Sequence, residues 1–287
     1  ETKSSSNVAA LVQQNNLASM DAIIGPFYQS NVEKLAELVE PTKTPVISPL
    51  SKEMGKKFAN LYQSMPSLEQ MRGSIFQYMK TKGGNVIAIV DAKKASVKQY
   101  IQEMQSDTKL VGLTAKGSFV PDSLRIHLQK DKMNYVILAS EKTGTIFTTT
   151  TTMQNAMKDY QVQLVILEPN ETLNFEEIAL SRLTKLKMAY PSITKDNDTE
   201  EAQLFERAFK KKNKIFPNQY AVRGFDITFD TLLRLAQDKT FDETVNETAT
   251  EQVENKFDYE KKISGGYANN GIYILYYDED LTIKQAQ

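Results

Sequence analysis

The sequence predicts an α/β protein of two doubly wound, parallel-sheet lobes, and three observations carry that prediction. Residues 21–51, DAIIGPFYQSNVEKLAELVEPTKTPVISPLS, read as a buried strand, a glycine-proline turn, an amphipathic helix and a second strand. From Ser67 to Leu167, short apolar runs alternate with helical patterns, as parallel strands joined by helical crossovers do. The length of 287 residues suits two domains of roughly 100–200 residues each.

In the first stretch, Asp21 to Ile24 is the strand and Gly25-Pro26 the turn. Ser30 and Glu33 give the S-x-x-E capping box of a helix whose Val32, Leu35, Ala36 and Val39 fall at helical spacing. Pro41 and Pro45 stop that helix, Val46 and Ile47 begin a strand ended by Pro49, and Asn60 to Met65 holds another. Ser67 and Gln70 form a second capping box before a helix carrying Leu68, Met71, Ile75 and Met79. The Gly83-Gly84 turn leads into a strand from Val86 to Val90. Next come a helix with Val97, Tyr100, Ile101 and Met104 on one face and a strand near Leu110 to Leu113. A helix around Leu124 to Leu128 and a strand from Tyr135 to Ala139 continue the alternation.

Met153, Ala156, Met157 and Tyr160 mark a helix before the strand Gln163 to Leu167, with the threonine run 148–152 read as β-branched residues preceding it. Leu183 to Tyr190 reads as a strand that leaves the lobe before Pro191. Two helices follow, one carrying Ala202, Phe205, Ala208 and Phe209, the other Phe225, Phe229, Leu232 and Ala236. Residues 238–256 are polar and acidic and read as a loop or a poorly packed helix. Gly265-Gly266 and Asn269-Asn270-Gly271 mark turns before a strand from Ile272 to Tyr277.

Composition narrows the function classes. The 35 basic and 36 acidic residues nearly cancel, so no global field attracts a polyanion, and nucleic acid is not expected as a partner. Lys210, Lys211, Lys212 and Lys214 fall where a helix ends, a place the helix dipole favours for cations. The absence of cysteine excludes disulfides, thiolate metal sites and cysteine nucleophiles. The sequence shows no G-x-G-x-x-G, phosphate loop, G-x-S-x-G or metal-ligand spacing. His127, the single histidine, sits with Leu124 and Leu128 on a helix and supports no triad. No catalytic residue, metal or cofactor is therefore expected, and the chain reads as a non-enzyme.

Three segments resemble the type I periplasmic binding proteins, a family that includes branched-chain amino-acid receptors. They are DAIIGPFYQSN with PVISPLS, the alternating central region, and YAVRGFDITFDTLLRLA at 220–236. The resemblance implies two lobes joined by a hinge, a ligand held in the interlobe cleft, and an exported protein of the periplasm or cell envelope. It places residues 1–65 and 193–255 in an amino-terminal lobe and residues 66–192 and 256–287 in a carboxy-terminal lobe, with hinge segments at Met65 to Ser67 and near Pro191. The closing segment, with Gly265-Gly266-Tyr267 and Asn269, looks more like an envelope subset that accompanies LysM peptidoglycan-binding repeats.

Two departures from the family stand out. The chain starts where the family's second strand should be ending, so the amino-terminal strand is expected to be missing. That leaves Asp21 to Ile24 as a sheet edge through which a homodimer could pair. The family's acidic partner for a ligand ammonium corresponds to a place near Thr184, which carries no charge, and this argues against amino acids as ligands.

The candidate ligand-binding residues follow strand ends, the edge where open α/β sheets take ligands. On one lobe they are Phe27, Tyr28, Ser30, Ser48 and Ser51; on the other, Asp91, Ser140 and Glu168, with Glu141 and Lys142 at the same edge. Each has a plain structural alternative: Ser30 as an N-cap, Phe27 and Tyr28 closing a loop, and the charged residues simply solvated. Asp226 is assigned to packing or capping and stays outside the site. The leading functional reading is a non-catalytic, solute-binding module of the cell envelope, holding a small polar ligand, with an ABC-type membrane transporter as partner. The alternative is a ligand-free scaffold that works with cell-wall proteins in peptidoglycan or envelope assembly.

Overall fold

The computed structural model describes residues 3–52, 55, 58–114, 116–168, 173, 178–195 and 199–286. The chain divides into two compact units, each built from separate stretches: Glu1–Leu68 with Ile193–Ile272, and Glu69–Ser192 with Tyr273–Gln287. Residues 256–272, expected in the second lobe, belong to the first unit because their strands complete its sheet.

The amino-terminal stretch holds α1 (Val8–Gln14), β1 (Ile23–Ile24), α2 (Gln29–Val39), β2 (Val46–Ser48) and β3 (Leu61–Gln63). The next stretch runs α3 (Leu68–Lys82), β4 (Asn85–Val90), α4 (Ala95–Met104), β5 (Lys109–Val111), α5 (Pro121–Arg125), β6 (Asn134–Ala139), α6 (Thr143–Ala156), β7 (Val162–Val165), α7 (Leu180–Lys185) and β8 (Ala189–Ser192). The chain then returns through α8 (Glu200–Asn213), α9 (Gln219–Leu235), α10 (Phe241–Glu247), β9 (Thr250–Glu251), β10 (Lys256–Phe257), β11 (Tyr259–Lys261) and β12 (Tyr267–Asn269). It ends with β13 (Tyr273–Tyr277) and β14 (Ile283–Gln285).

In the second unit the strand order is β14-β13-β8-β7-β6-β4-β5, parallel from β8 to β5, with β13 and β14 antiparallel at one side. Successive side chains of a strand point to opposite faces, and the core divides accordingly. Ile87 and Ile89 pack with Leu124, Ile146, Met153 and Leu183 on one face. Val86 and Ala88 pack with Ile75, Phe76, Met79, Val97 and Ile101 on the other. Helices thus cover both faces, the doubly wound arrangement the alternation predicted. Fully burying side chains of this size stabilises by about 1.5–3 kcal/mol each.

The first unit's sheet has the order β1-β2-β3-β12-β11, parallel except for β11. Val46 and Leu61 face α1 and α2, packing with Val8, Val32, Leu35, Ala36 and Val39. Ile47 and Tyr62 face the other way, onto Ile227, Phe241, Val245, Phe257, Tyr259 and Tyr267. At the centre of this face Tyr62 stacks on Tyr267, with ring centroids 4.5 Å apart. Gly266 makes the turn into β12 at φ 73°, where an added Cβ would stand 3.0 Å from the Leu61 and Phe58 carbonyl oxygens. β1 is terminal in this sheet, and its described edge is two residues long.

Several expectations need correction. The helix after Gly25-Pro26 begins at Gln29 with Tyr28 as N-cap, so Ser30 lies inside the first turn and does not cap it. The threonine run lies within α6, because each buried hydroxyl can bond a carbonyl of its own helix. Leu183 to Lys185 is helical, and the strand starts only at Ala189. The stretch read as a loop or a poorly packed helix contains α10, held by a capping box of Thr240 and Glu243 and packed through buried Phe241 and Val245. Leu68, Met104 and Met157, expected on inner faces, are exposed.

The largest difference concerns α9. Phe225, Phe229 and Leu232 are 41%, 43% and 57% exposed, while Val222, Arg223, Asp226, Ile227, Asp230, Thr231 and Arg234 are buried. The inward charges have built partners. Asp226 accepts from the backbone N–H groups of Val253, Glu254 and Asn255 at 3.0, 3.0 and 2.9 Å. Arg234 donates to Asp230 at 3.0 Å and to the Thr244 carbonyl at 2.8 Å. Thr250 donates to the other Asp230 oxygen. The packing or capping role expected of Asp226 is the one it has.

Candidate functional site

Each unit presents a polar cluster at the carboxyl edge of its sheet. In the first unit, Ser48 ends β2, only 2% exposed, and its hydroxyl has no hydrogen-bond partner among the described residues. Its carbonyl accepts from Ser64, which follows β3, through the backbone N–H at 3.1 Å and the hydroxyl at 2.6 Å. Arg223 reaches this corner from α9, donating Nε to the Pro49 carbonyl at 2.8 Å and Nη2 to Ser64 Oγ at 3.1 Å. Asn269, the last residue of β12, donates to the Ser64 carbonyl at 2.9 Å. Burial pushes the Arg223 guanidinium down to about 10, so it remains a cation at neutral pH.

The other residues expected in the first unit lie around this corner or away from it. The Ser51 carbonyl accepts from Gln63 at 3.3 Å, which ties its loop to β3. Phe27 and Tyr28 are exposed, at 67% and 49%, on the loop before α2. Ser30 is exposed on the first turn of that helix.

In the second unit, Asp91 follows β4 and Ser140 follows β6. The register pairs Val90 with Ala139 and sets them side by side. Ser140 Oγ donates to Asp91 Oδ1 at 3.0 Å, both residues being buried, and the Lys142 backbone N–H donates to Ser140 Oγ at 3.1 Å. Glu168 is not joined to that pair; it forms an ion pair with Arg72 of α3 at 3.1 Å. Glu141 pairs with Lys94 at 2.6 Å, and that hydrogen bond holds its carboxyl below the usual range. Asp91 also lines a cavity of ≈ 510 Å³ beside Val90, Ala95, Lys98, Leu110 and Leu113.

These clusters offer hydrogen-bond donors, acceptors and fixed charge. Among the described residues no group of three His, Asp or Glu side chains stands close enough to hold a metal ion. No described helix is long and apolar enough to cross a membrane. Sequence reasoning missed Arg223, Ser64 and Arg72. One signal for Arg223 was present: Arg223, Asp226, Asp230 and Arg234 recur at helical spacing as a charged stripe opposite the aromatic one.

No protein-family model matches the chain, and no curated protein matches it in sequence. Solved structures do match in fold. An ABC transporter substrate-binding protein from Desulfitobacterium hafniense superposes with a TM-score of 0.52 at 14% identity, covering 97% of this chain and 84% of its own. A branched-chain amino-acid ABC transporter periplasmic ligand-binding protein from Burkholderia xenovorans LB400 gives 0.53 at 10% identity, covering 98% and 80%.

The chain has the fold of the type I periplasmic binding proteins.

The same fold occurs in the C-domain of LpoA from Haemophilus influenzae, described as a regulator of PBP1A, with a TM-score of 0.54 at 12% identity and coverage of 98% and 87%. Against full-length LpoA the TM-score is 0.57, and this chain spans 51% of that protein. The LysM-associated subset suggested by the closing segment receives no support from these matches. At such identities the likeness of a periplasmic binding protein-like fold says how the chain folds and leaves its ligand to be argued from its own residues.

Proposed function

We propose that this chain is a non-catalytic solute-binding module of the cell envelope. It takes a small polar ligand, and the candidate groups are Ser48 and Ser51 with Phe27, Tyr28 and Ser30 at the carboxyl edge of the first unit's sheet and Asp91, Ser140 and Glu168 at that of the second. The observation that carries this reading is the buried Ser48 hydroxyl, without a partner among the described residues, at the strand end where open α/β sheets take their ligands. The substrate-binding proteins of similar fold belong to ABC transporters, and a transporter is the partner this reading names.

A second reading has its own support. In the second unit the candidate groups already have protein partners, Asp91 in Ser140 and Glu168 in Arg72. That is what a scaffold without a ligand would show, and LpoA, whose C-domain has the same fold, is described as a regulator of PBP1A. In this reading the chain works on a peptidoglycan-assembling partner.

Native mass spectrometry of the purified protein against a small-metabolite panel separates the two. A retained or saturable small molecule, lost on Ser48→Phe, supports the solute-binding module. An empty protein that binds cell-wall synthases supports the scaffold. A ligand that contacts neither strand-end cluster removes the site assignment.

A further inference from the structure

We propose that the carboxyl end of α8 and the loop after it form a docking surface for a membrane rich in anionic lipids, whether or not the chain also holds a solute. Of the fourteen residues of α8, Ala202 alone is buried. The helix meets α9 through an aromatic row, in which Phe205 stands 5.8 Å from Phe209 and 4.7 Å from Phe225. Its last turn carries Lys210, Lys211 and Lys212, and Lys214 ends it in the left-handed conformation at φ 64°.

Successive helical residues are about 100° apart, so the three lysines fan around the helix end instead of sharing one face. The helix dipole favours cations there. None of the four lysines makes an ion pair among the described residues, nor does Glu206, the nearest acid on α8. Glu200 and Glu201 lie at the opposite end of the helix, about 14 Å or more from Lys210 at 1.5 Å per residue. That exceeds the Debye length of about 10 Å at 0.1 M salt, so the cationic end keeps its own field.

The residues that follow set this helix end apart from a solvated terminus. Ile215 and Phe216 are 64% and 58% exposed, and Tyr220, in the first turn of α9, is 62% exposed. Single exposed apolar residues are ordinary, but adjacent bulky ones rimmed by polar groups mark an interaction surface. Lys210 Nζ stands 3.7 Å from the centre of the Phe216 ring, and Lys214 Nζ donates to the Lys211 carbonyl at 3.0 Å. An apolar tip is thus set among ammonium groups. A bilayer surface offers the complement of both, phosphate-bearing headgroups outside and an acyl boundary just beneath. Free phosphate would engage the lysines and leave Ile215 and Phe216 in water. No described helix is long and apolar enough to cross a membrane, so the contact is peripheral.

The chain contains no tryptophan, so Phe216→Trp places a single fluorescent reporter at the tip. The intact chain is titrated with vesicles of phosphatidylcholine alone, or of phosphatidylcholine and phosphatidylglycerol in equal parts, at low and high salt. We expect a blue shift and quenching by brominated acyl chains with the anionic vesicles only, both weakened by salt. In vesicle cosedimentation, Lys211→Gln with Lys212→Gln should lower affinity about 25-fold, at about fivefold per lysine. Ile215→Ser with Phe216→Ser should lower it about tenfold or more. All four side chains are exposed, and circular dichroism checks that the variants fold; should one fail, the Phe216→Trp emission decides. Equal binding to both vesicle types, no binding to either, or binding that either double variant leaves unchanged overturns the proposal. Saturable binding of polyglutamate without binding of anionic vesicles gives the surface to an acidic protein and overturns it as well.

Discussion

α6 in the second unit and α9 in the first both bury polar side chains, and they do so by opposite means. In α6 the buried Thr149, Thr150 and Thr152 hydroxyls turn back to carbonyls of their own helix, and Thr145 at its start reaches out to the Gly117 carbonyl, while Ile146 and Met153 fill the core. In α9 the buried Thr231 also turns back, to the Ile227 carbonyl, and Arg234 pairs with Asp230 one turn away, but the buried charges reach outside the helix as well, to the turn at 253–255, to the Thr244 carbonyl and to the loop at Pro49. A helix whose buried hydroxyls mostly close on its own carbonyls is placed by its apolar stripe. One whose charges are completed elsewhere is placed by those bonds, even when its aromatic face is left outside, where Phe225 stacks on Phe229 at 5.6 Å and contacts Phe205 at 4.7 Å.

Substitutions can break this contrast, with hydrogen exchange reading the stability of each unit separately. The largest effect is expected at the buried pair. Arg234→Ala leaves Asp230 as an uncompensated buried charge and should cost the first unit about 3–5 kcal/mol, whereas Asp230→Leu with Arg234→Met should restore most of that loss. A double variant as unstable as the single one would show that the ion pair does not orient α9. Next comes Asp226→Ala, which strands three backbone N–H groups and should cost about 2–4 kcal/mol, with faster exchange concentrated at residues 253–255. In the second unit Thr149→Val should cost about 1 kcal/mol or less, because the lost bond is local and the shape is kept. A loss as large as that of Asp226→Ala would erase the distinction between the two helices.

The smallest effect concerns acid. Burial holds the Asp226 carboxyl above its ordinary 3.8, against its backbone donors and Arg223, so its contribution is fully present below that value and is lost as pH rises through the folded pKa. Asp278 and Asp280 in the second unit behave oppositely. Hydrogen bonds from Lys284 hold both below the ordinary range, and their contribution is lost as pH falls through the folded values. Carboxyl-carbon NMR titration should place Asp226 above and both of the others below the free aspartate value; Asp226 titrating with the others would remove the claim of desolvation.

Much of the fold was legible because period-2 and helical spacings are local. Val46-Ile47 and Tyr135 to Ala139 needed only their neighbours to be read as strands. Ser30 was misread as an N-cap because the S-x-x-E pattern does not say which residue leaves helical geometry, and Tyr28 does. The orientation of α9 was hidden for a different reason: its aromatic stripe is a stronger apolar signal than anything on its inner face. Within the candidate site, Asp91 and Ser140 could be named from strand ends, but their contact depends on β4 and β6 being neighbours. Arg223 escaped notice because its partners Pro49 and Ser64 lie 174 and 159 residues away.

The pairing of β3 with β12 bears on how the chain is made. Asn269 bonds to the Ser64 carbonyl across 205 positions, so on the ribosome the first half of this sheet waits for its centre to be synthesised. At about 5–20 residues per second that wait is roughly 10–40 s. During it the strands from β4 to β8 emerge as one uninterrupted stretch, able to fold while Leu61 to Gln63 still offers a bare edge to the nascent chain's surroundings.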